Sequence, residues 1–568
     1  MQHQELRQSH MNKVFDNQFY YLDNFQRVLD WIGERYNDLL TDDERDFLAT
    51  FAVLPQPSRA LFVRMVMRKG SLFRASKLNY AEIGCPVEAA RYLPPAWVEP
   101  DPVLSIDDLF ELLSKPEIGS LFGVPAHQLS GRKGDVLAAL RPGFTDARRF
   151  SAWHSNSGDH VFQISVKPLC DRLRLIFFGN FRQDWTEFVL SDLGLCRYET
   201  VEFSAASRGF RSRADIDRYL ELHHCKEKFR ANDGLSDNLG DLQLLLPSAP
   251  FENDWLNSRR ERLVFQIARH YEQRKQWSDA YDLYAHCSFP GARARAIRVL
   301  EKNKQYAQAY QLLLAAQGAL ESDAERQQLL RISPRLTRRL GRPTTRAPRP
   351  PVVATLELRL PVPVTGRWVE GAVRDHLARV GTPDAPGAPV FYVENTLINA
   401  LFGLLCWRAV FSAIPGAFFH PFHRGPADLY SLDFFQRRAG EFGACLAELD
   451  GELWRDTIRA NFAAKAGIMS PFVAWDAISA ELLELALTCI SARDLKKMFE
   501  RILQDVQANR TGFPDLIQFW PAERRYSMIE VKGPGDRLQD NQLRWIDYCA
   551  THRMPVSVCY LEWIEAQG

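Results

Sequence analysis

The sequence contains no hydrophobic run long enough to cross a lipid bilayer. Its most apolar stretch, residues 397–410, is interrupted by Arg408, and a membrane-spanning helix needs about 20 consecutive apolar residues. Residues 1–10 are polar, so we expect no secretory signal peptide. We therefore expect no membrane-spanning helix and no membrane partner.

Two motifs with specific chemistry are also missing. The ten cysteines stand singly, without a C-x-x-C pair, which predicts reduced thiols in a cytosolic compartment rather than a disulfide framework. No G-x-x-x-x-G-K-[ST] motif is present, so we expect no ATP-driven step. The 568 residues, of which 46% are hydrophobic and 25% charged, are typical of a globular protein with roughly three or four domains.

Net charge is nearly absent, at +1, so any nucleic-acid surface must come from local segregation of charge. The first such region lies within residues 1–105, which we expect to be helical and basic. From Phe47 to Ala81 there is no carboxylate. The basic residues of this stretch are Arg59, Arg64, Arg68, Lys69, Arg74 and Lys77. Cations on one face of an amphipathic element suit a phosphate backbone, although a solvated helix face is the plain alternative.

Residues 106–245 combine a small helical module with strand-like runs. In SGRKGDVLAALR, Ser130 can cap the second helix and place Arg132 and Lys133 at its positive N-terminus, which favours phosphate. The Gly-x-Lys before an apolar helix resembles a SAP-type DNA-binding module. HVFQISV, RLRLIFF and TEFVL, between residues 160 and 190, read as strands.

A repeated pattern occupies residues 250–342. RKQWSDAYDLY (274–284) returns as NKQYAQAYQLL (303–313), so that Ala280 aligns with Ala309. A small-plus-aromatic repeat of this length predicts stacked helical hairpins of the tetratricopeptide kind, which could bind protein partners. Residues 343–355 read as a basic, proline-rich linker.

The stretch 511–542, in the last part of the chain (356–568), contains the clearest site chemistry. Residues 513–520 and 526–532 are β-prone runs separated by a short polar segment, which predicts a hairpin. Asp515 falls on the first strand, and Glu530 and Lys532 leave one face of the second. Buried carboxylates need a partner, and Mg²⁺ or Mn²⁺ prefers such oxygen ligands. A strand-edge salt bridge between Glu530 and Lys532 is the simpler alternative.

Pro514-Asp515 followed by Glu530-Val531-Lys532 resembles the PD-(D/E)xK nuclease motif. The longer string GFPDL…IEVKGPGDRLQDNQLRW is similar to the virus-type replication-repair nuclease (VRR-NUC) domain. The resemblance implies that Asp515, Glu530 and the carbonyl of Val531 bind metal, with two ions expected, and that Lys532 is catalytic. It also implies that Glu394, which we place in the first turn of a helix over residues 391–407, completes the metal site. From the residues alone, a carboxylate that stabilises the helix dipole is the simpler alternative for Glu394.

Two polar residues after the motif, Arg537 and Gln542, could contact backbone phosphate. A solvated start of the following helix explains them equally well. We also expect a final strand over residues 556–563 and a helix capped by Ser491.

The order of these segments resembles the Fanconi-associated nuclease family over nearly the whole chain. The implied fold is multidomain and mostly α: an N-terminal helical and SAP-like DNA-binding region, tetratricopeptide-like repeats, and an α/β, restriction-endonuclease-like VRR-NUC core. The implied function is a structure-specific nuclease, with 5′-flap endonuclease and 5′–3′ exonuclease activity, in interstrand crosslink repair on branched DNA.

Two alternatives to this function remain open from the residues. One is a junction-resolving or restriction-like nuclease, and the other is an inactive DNA-binding scaffold. No Cys/His ubiquitin-binding finger precedes the basic region, so we expect a bacterial member. It should be cytoplasmic and nucleoid-associated, or nuclear if the source is eukaryotic.

Overall fold

The computed structural model describes residues 17–125, 127–155, 157–184, 187–188, 196–231, 246, 249–343, 353–362, 368–380 and 387–564. By its internal contacts the chain divides into two units. One comprises Met1–Arg197 with Phe210–Ile216, and the other comprises Tyr198–Gly209 with Asp217–Gly568. The division falls inside the helix Arg213–Ala231. None of the described helices is long and apolar enough to cross a membrane.

The first unit begins with three helices packed around aromatic rings. Phe25, Phe51 and Phe62 contact one another with ring centroids 5.2–6.4 Å apart. A second cluster, which includes Leu109 and Ile118, joins the short helices that follow. The helices are Tyr20–Tyr36, Asp42–Val53, Gln56–Val66, Pro86–Ala90, Ile106–Leu112, Lys115–Phe122, Lys133–Leu140, Phe150–Trp153 and Lys167–Phe178. The strands are Leu72–Arg74, Val98–Pro100, Val103–Leu104, Arg148–Arg149 and Val161–Ile164.

Five helices at the start of the second unit form the predicted repeats, each packing on the next along the chain. They are Asp254–Gln273, Trp277–Ala285, Ala292–Lys302, Tyr306–Gly318 and Asp323–Arg339. The repeat extends to the backbone, because Lys275 and Lys304 turn the chain with left-handed φ angles of 61° and 63°. Ala280 and Ala309 are both buried at the helix contacts. The internal repeat predicted from the sequence is therefore confirmed.

A mixed five-stranded sheet forms the centre of the C-terminal part. Its strands are β1 (Ala354–Pro361), β2 (Val390–Tyr392), β3 (Leu516–Trp520), β4 (Arg525–Lys532) and β5 (Val556–Ile564). They lie in the order β1-β5-β4-β3-β2. β5 runs parallel to both β1 and β4, whereas β3 is antiparallel to β2 and β4. The predicted hairpin and the predicted final strand are both present.

Apolar cores cover both faces of this sheet. On one face, α1 (Val369–Arg379) packs its Val373 and Leu377 against Ile529 and Val531 of β4. The other face carries the larger core, which includes α2 (Leu397–Leu405) and α3 (Asp540–Thr551). The remaining helices are Trp407–Val410, Ala439–Ala447, Leu453–Ala464, Ala480–Cys489, Ala492–Gln504 and Val506–Asn509. Double coverage buries the charged residues Glu530 and Lys532 near the end of β4.

Ser491 caps its helix as predicted, since its hydroxyl accepts a hydrogen bond from the backbone N–H of Asp494 at 3.1 Å. The corresponding prediction for Ser130 is wrong. The hydroxyl of Ser130 donates to the carbonyl of His127, and the helix begins at Lys133 with Arg132 in the capping position.

Two predicted elements differ in the structure. Residues 391–407 do not form one helix, because β2 ends at Tyr392 and α2 begins only at Leu397. Asn395, with a left-handed φ of 52°, accepts hydrogen bonds from the N–H groups of Gly512 and Phe513 and holds the intervening loop.

RLRLIFF is helical rather than extended, as part of Lys167–Phe178. Its buried residues recur at helical spacing, and Gly179 ends the helix in the left-handed conformation. HVFQISV does contain a strand, Val161–Ile164. Of TEFVL only Glu187 and Phe188 are described, and both are helical, while most of the linker 343–355 lies outside the described residues.

Candidate active site

The β3–β4 hairpin brings the three motif residues together. Asp515 stands immediately before β3, one residue outside the strand in which we placed it, and Glu530 and Lys532 lie on β4. The register pairs Leu516 with Ile529. Asp515 Oδ2 therefore reaches the backbone N–H of Val531 and accepts a hydrogen bond of 2.8 Å. This bond fixes the Asp515 carboxylate beside Glu530.

Glu530 is completely buried. Lys532 Nζ lies 2.7 Å from its Oε1, but neither carboxylate oxygen has a hydrogen bond of good geometry within the described part of the chain. A buried carboxylate without hydrogen bonds is costly, so the site favours a cationic occupant in addition to Lys532.

Burial and mutual repulsion raise the pKa of both carboxyl groups. Burial is the larger cause in each case, raising the pKa of Asp515 to about 6 and that of Glu530 to about 8. The neighbouring Asp515 raises the pKa of Glu530 further, and the ammonium of Lys532 opposes both effects. Because desolvation outweighs the ion pair, the pair of carboxyl groups retains a proton near neutral pH when no cation is bound.

This chemistry fits a divalent cation of the Mg²⁺ class. Asp515 and Glu530 supply two carboxylates at a place where oxygen atoms of Glu530 lack partners. Within the ranges that the structure describes, no three His, Cys, Asp or Glu side chains converge as a ready metal cluster. The remaining ligands would be oxygen atoms of a neighbouring carboxylate, a backbone carbonyl or water, all of which Mg²⁺ accepts.

Metal binding should release protons, because only ionised carboxylates act as ligands. Near pH 7 we expect release of about one proton per protein, chiefly from Glu530, since its raised pKa of about 8 leaves it protonated there. The release should fall towards zero as the pH rises above that pKa. Calorimetric titration with Mn²⁺ in buffers of different ionisation enthalpy measures it. If the number of released protons did not change with pH, our inference that Asp515 and Glu530 retain a proton near neutral pH would be wrong.

Glu394 lies in the loop between β2 and α2 rather than in the first turn of a helix. Its Oε2 accepts a hydrogen bond of 2.5 Å from the hydroxyl of Tyr392, and Asn395 Nδ2 approaches Oε1 at 3.3 Å. The loop is tied to the hairpin because the N–H of Val393 donates to the carbonyl of Asp515 at 2.8 Å. The charge of Glu394 also raises the pKa of Asp515, which places the two carboxylates in one electrostatic environment.

Two neighbours of the site were not predicted from the sequence. Glu370, in the first turn of α1, raises the pKa of both Asp515 and Tyr392. An acidic residue at a helix start is common, so the sequence carried no signal for it. Tyr392 reads as one more β-prone residue of a strand, and only the structure shows its hydroxyl on Glu394.

Two of the basic residues predicted near the N-terminus, Arg64 and Arg74, form ion pairs with carboxylates of the first unit. Arg64 pairs with Glu82 at 2.8 Å. Arg74 is buried and pairs with Glu117 and Asp159, both at 2.8 Å. These contacts give Arg64 and Arg74 roles inside the first unit.

The other basic residues of that stretch are at the surface. Arg68, Lys69 and Lys77 are exposed, and Arg68 Nη1 donates to the carbonyl of Lys77.

In the SAP-like segment, Arg132 is exposed and Lys133 donates to the carbonyl of Leu113 at 2.6 Å. After the motif, Arg537 is exposed, whereas the side chain of Gln542 accepts from the N–H of Gln539 and stabilises the start of α3.

Three protein-family models match segments of this chain. The VRR-NUC domain model matches residues 452–563, the model "FAN1, HTH domain" matches 19–99, and the Fanconi anemia-associated nuclease SAP domain model matches 103–153. The chain is 53% identical to the Fanconi-associated nuclease 1 homolog of Pseudomonas aeruginosa, over 96% of each protein. The chain belongs to the Fanconi-associated nuclease family.

More distant relatives and solved structures extend this result. The Arabidopsis thaliana homolog is 22% identical over 94% of this chain and 66% of its own length. Crystal structures of paFAN1 bound to DNA with a 2-nucleotide or a 1-nucleotide 5′ flap superpose with TM-scores of 0.87 and 0.85. Both are 52% identical and cover 96% of this chain, with 99% and 100% of their own chains covered. The protein is therefore a bacterial DNA nuclease of this family, which depends on a divalent metal.

Proposed function

We propose that this nuclease cleaves branched duplex DNA with a 5′ flap, as a metal-dependent endonuclease with 5′–3′ exonuclease activity, and acts in interstrand crosslink repair. The observation that carries the proposal is the buried cluster of Asp515, Glu530 and Lys532, next to Glu394. The relatives crystallised with 5′-flap DNA support the choice of substrate.

The site residues take distinct roles in this proposal. Asp515, Glu530, Glu394 and the carbonyl of Val531 would hold Mg²⁺ or Mn²⁺, two ions in all. Such an ion lowers the pKa of a bound water and neutralises charge on the phosphate. Lys532, held against Glu530, donates to the attacking water or to the phosphate. The hydroxyl of Tyr392 holds the carboxylate of Glu394 in place.

Cleavage of a labelled 5′-flap duplex, with and without Mn²⁺ or Mg²⁺, tests this function. We expect incision only with the cation, and faster on the 5′ flap than on a 3′ flap, a four-way junction or an unbranched duplex. Preference for the four-way junction would favour a junction-resolving nuclease. Binding without any cleavage would favour a DNA-binding scaffold.

We further propose that exposed cations of the first unit track the DNA backbone. Arg68, Lys69, Lys77 and Arg132 are the strongest candidates because their side chains are exposed. Arg537 would act close to the site. Arg64, Arg74, Lys133 and Gln542 already serve internal contacts, so their contribution to DNA binding is secondary.

Replacing both Arg68 and Lys69 with Ala should weaken duplex binding and flatten its salt dependence. If each contacts one phosphate, the slope of log K against log salt should fall by about 1.8. Fluorescence anisotropy at several salt concentrations measures it, with Arg91→Ala as an exposed control outside the acid-free stretch. An unchanged slope would exclude this segment from the DNA surface.

Glu394→Gln should preserve the fold and slow cleavage, because one oxygen ligand loses its charge. We expect a loss of roughly ten- to a hundredfold, the range typical of losing a carboxylate that supports a metal site. Glu481→Gln is the matched control, since Glu481 stands exposed in the first turn of a helix. Equal rates for the two variants at limiting Mn²⁺ would remove Glu394 from the site.

We also propose domain boundaries and a cellular setting for the activity. The proposed domains are residues 1–105, 106–245, 250–342, 343–355 and 356–568. The helical repeats would serve as a platform for protein partners, and no ATP would be consumed. We place the protein at the nucleoid, where its substrate lies.

A further inference from the structure

Two large aromatic rings stand exposed beside the candidate active site. Trp368, the residue before α1, is 51% exposed, and Tyr392, the last residue of β2, is 42% exposed. Their ring centroids lie 6.0 Å apart in an edge-to-face arrangement. Exposed tryptophan beside a site is informative, because large aromatic surface is normally withdrawn from water.

The indole of Trp368 is held in place rather than free to rotate. A Cβ built on Gly371 would lie 2.1 Å from Trp368 Cε3 and 2.6 Å from Cδ2, so the ring rests on the bare backbone of that glycine. The guanidinium of Arg374 lies 5.0 Å from the ring centroid and also pairs with Asp375 at 2.8 Å. A fixed ring loses little conformational entropy when it binds a flat partner.

Three contacts connect the two rings to the catalytic hairpin. The Tyr392 hydroxyl donates to Glu394. Val393, the next residue, bonds through its N–H to the carbonyl of Asp515. A Cβ on Gly533, next to Lys532, would lie 3.1 Å from Val369 Cγ2, next to Trp368. A group stacked on the rings would therefore lie next to the loop that carries Glu394, which is tied to Asp515 through the N–H of Val393.

We propose that Trp368 and Tyr392 form a stacking platform for one unpaired base of the DNA strand that enters the active site. The inference rests on the proposed function and deepens it, because a flap supplies unpaired bases next to the incision. Aromatic rings bind any base through its π-face. The guanidinium of Arg374 adds positive charge for the adjoining phosphate, which the carboxylates of the site would otherwise repel.

Two arms test the platform. The first places 2-aminopurine at successive flap and gap positions and measures its fluorescence on binding to Lys532→Ala protein, in which cleavage is blocked. Stacking on the platform should quench one position, Trp368→Ala should restore its fluorescence, and Trp368→Phe should keep most of the quenching. Gly371→Ala, which displaces the indole without removing it, should act like Trp368→Ala.

The second arm measures cleavage in the otherwise native protein. We expect kcat/KM on flapped DNA to fall by about tenfold or more in Trp368→Ala, as for loss of one base-stacking contact, and to be largely rescued in Trp368→Phe. Leu453→Ala removes another exposed apolar side chain, 68% exposed, and should leave cleavage unchanged.

The outcomes separate the platform from the nuclease assignment. If the wild type cleaves DNA and Trp368→Ala changes neither the quenching nor kcat/KM, the platform is wrong and the nuclease assignment stands. A wild type that cleaves no DNA would overturn the proposed function, while the fluorescence arm, which needs no cleavage, still decides the platform. If 2-aminopurine is quenched equally in Trp368→Ala and in the parent protein at every position, the rings pack against the protein and do not stack on a base.

Discussion

Lys532→Ala is expected to lower the single-turnover rate of 5′-flap cleavage by roughly a hundred- to a thousandfold, the usual effect of losing one preorganised charged donor. The ammonium lies 2.7 Å from Glu530 Oε1 and is nearly buried, so water cannot replace it in the same position. DNA affinity should change little, because most of the proposed phosphate contacts lie elsewhere.

Asp515→Ala should abolish cleavage to a similar extent for a different reason. It removes a metal ligand, so Mn²⁺ binding measured by calorimetry should weaken in Asp515→Ala but persist in Lys532→Ala. Lys497→Ala, at a surface lysine paired with Glu500, is the control and should cleave normally. Near wild-type cleavage by Lys532→Ala would mean that β4 is structural, and the catalytic assignment would fail.

Asp428→Ala should be among the most destabilising single substitutions in the second unit. Arg438 is fully buried, and Asp428 accepts two hydrogen bonds from its guanidinium at 2.8 and 2.9 Å, plus one from Arg437 at 2.6 Å. Removing the carboxylate leaves a buried cation without its partner. Breaking such a pair typically costs about 3–5 kcal/mol of the free energy of unfolding.

Asp433→Ala provides the matched comparison. Asp433 also pairs with Arg437, but at 3.9 Å and with its side chain 47% exposed. We expect an effect of at most about 1 kcal/mol from an exposed pair of this kind. Thermal unfolding of both variants, followed by circular dichroism, measures the difference. Equal unfolding midpoints would show that the buried Asp428–Arg438 pair stabilises the fold no more than the exposed Asp433–Arg437 pair does.

The β3–β4 hairpin was predictable because several local signals agree there. The β-prone runs, the polar turn between them and the alternation of Glu530 with Ile529 and Val531 all specify the same two strands. The structure buries Ile529 and Val531 on the α1 face, as the alternation requires. The repeat was predictable for the same reason, since Ala280 and Ala309 occupy equivalent helix contacts.

Predictions failed where tertiary contacts override the local pattern. The loop at Glu394 depends on hydrogen bonds that Asn395 accepts from the N–H groups of Gly512 and Phe513, more than a hundred residues away in sequence. The partners of Arg74 are also distant in sequence, since Glu117 lies 43 and Asp159 85 residues away. An acid-free stretch therefore identifies a surplus of positive charge but not which cations remain exposed. Tyr392 and Glu370 belong to no sequence motif, and only the folded structure shows that they lie near the site.

The placement of β5 between β1 and β4 has a consequence for synthesis on the ribosome. Its partners in β1 lie about 200 residues earlier in the chain. Until residues 556–564 have been translated, β1 has no neighbour in the sheet and β4 exposes an unpaired edge beside Glu530 and Lys532. A growing polypeptide thus carries every motif residue before it holds a finished sheet, so we expect nuclease activity only after residues 556–564 have been translated.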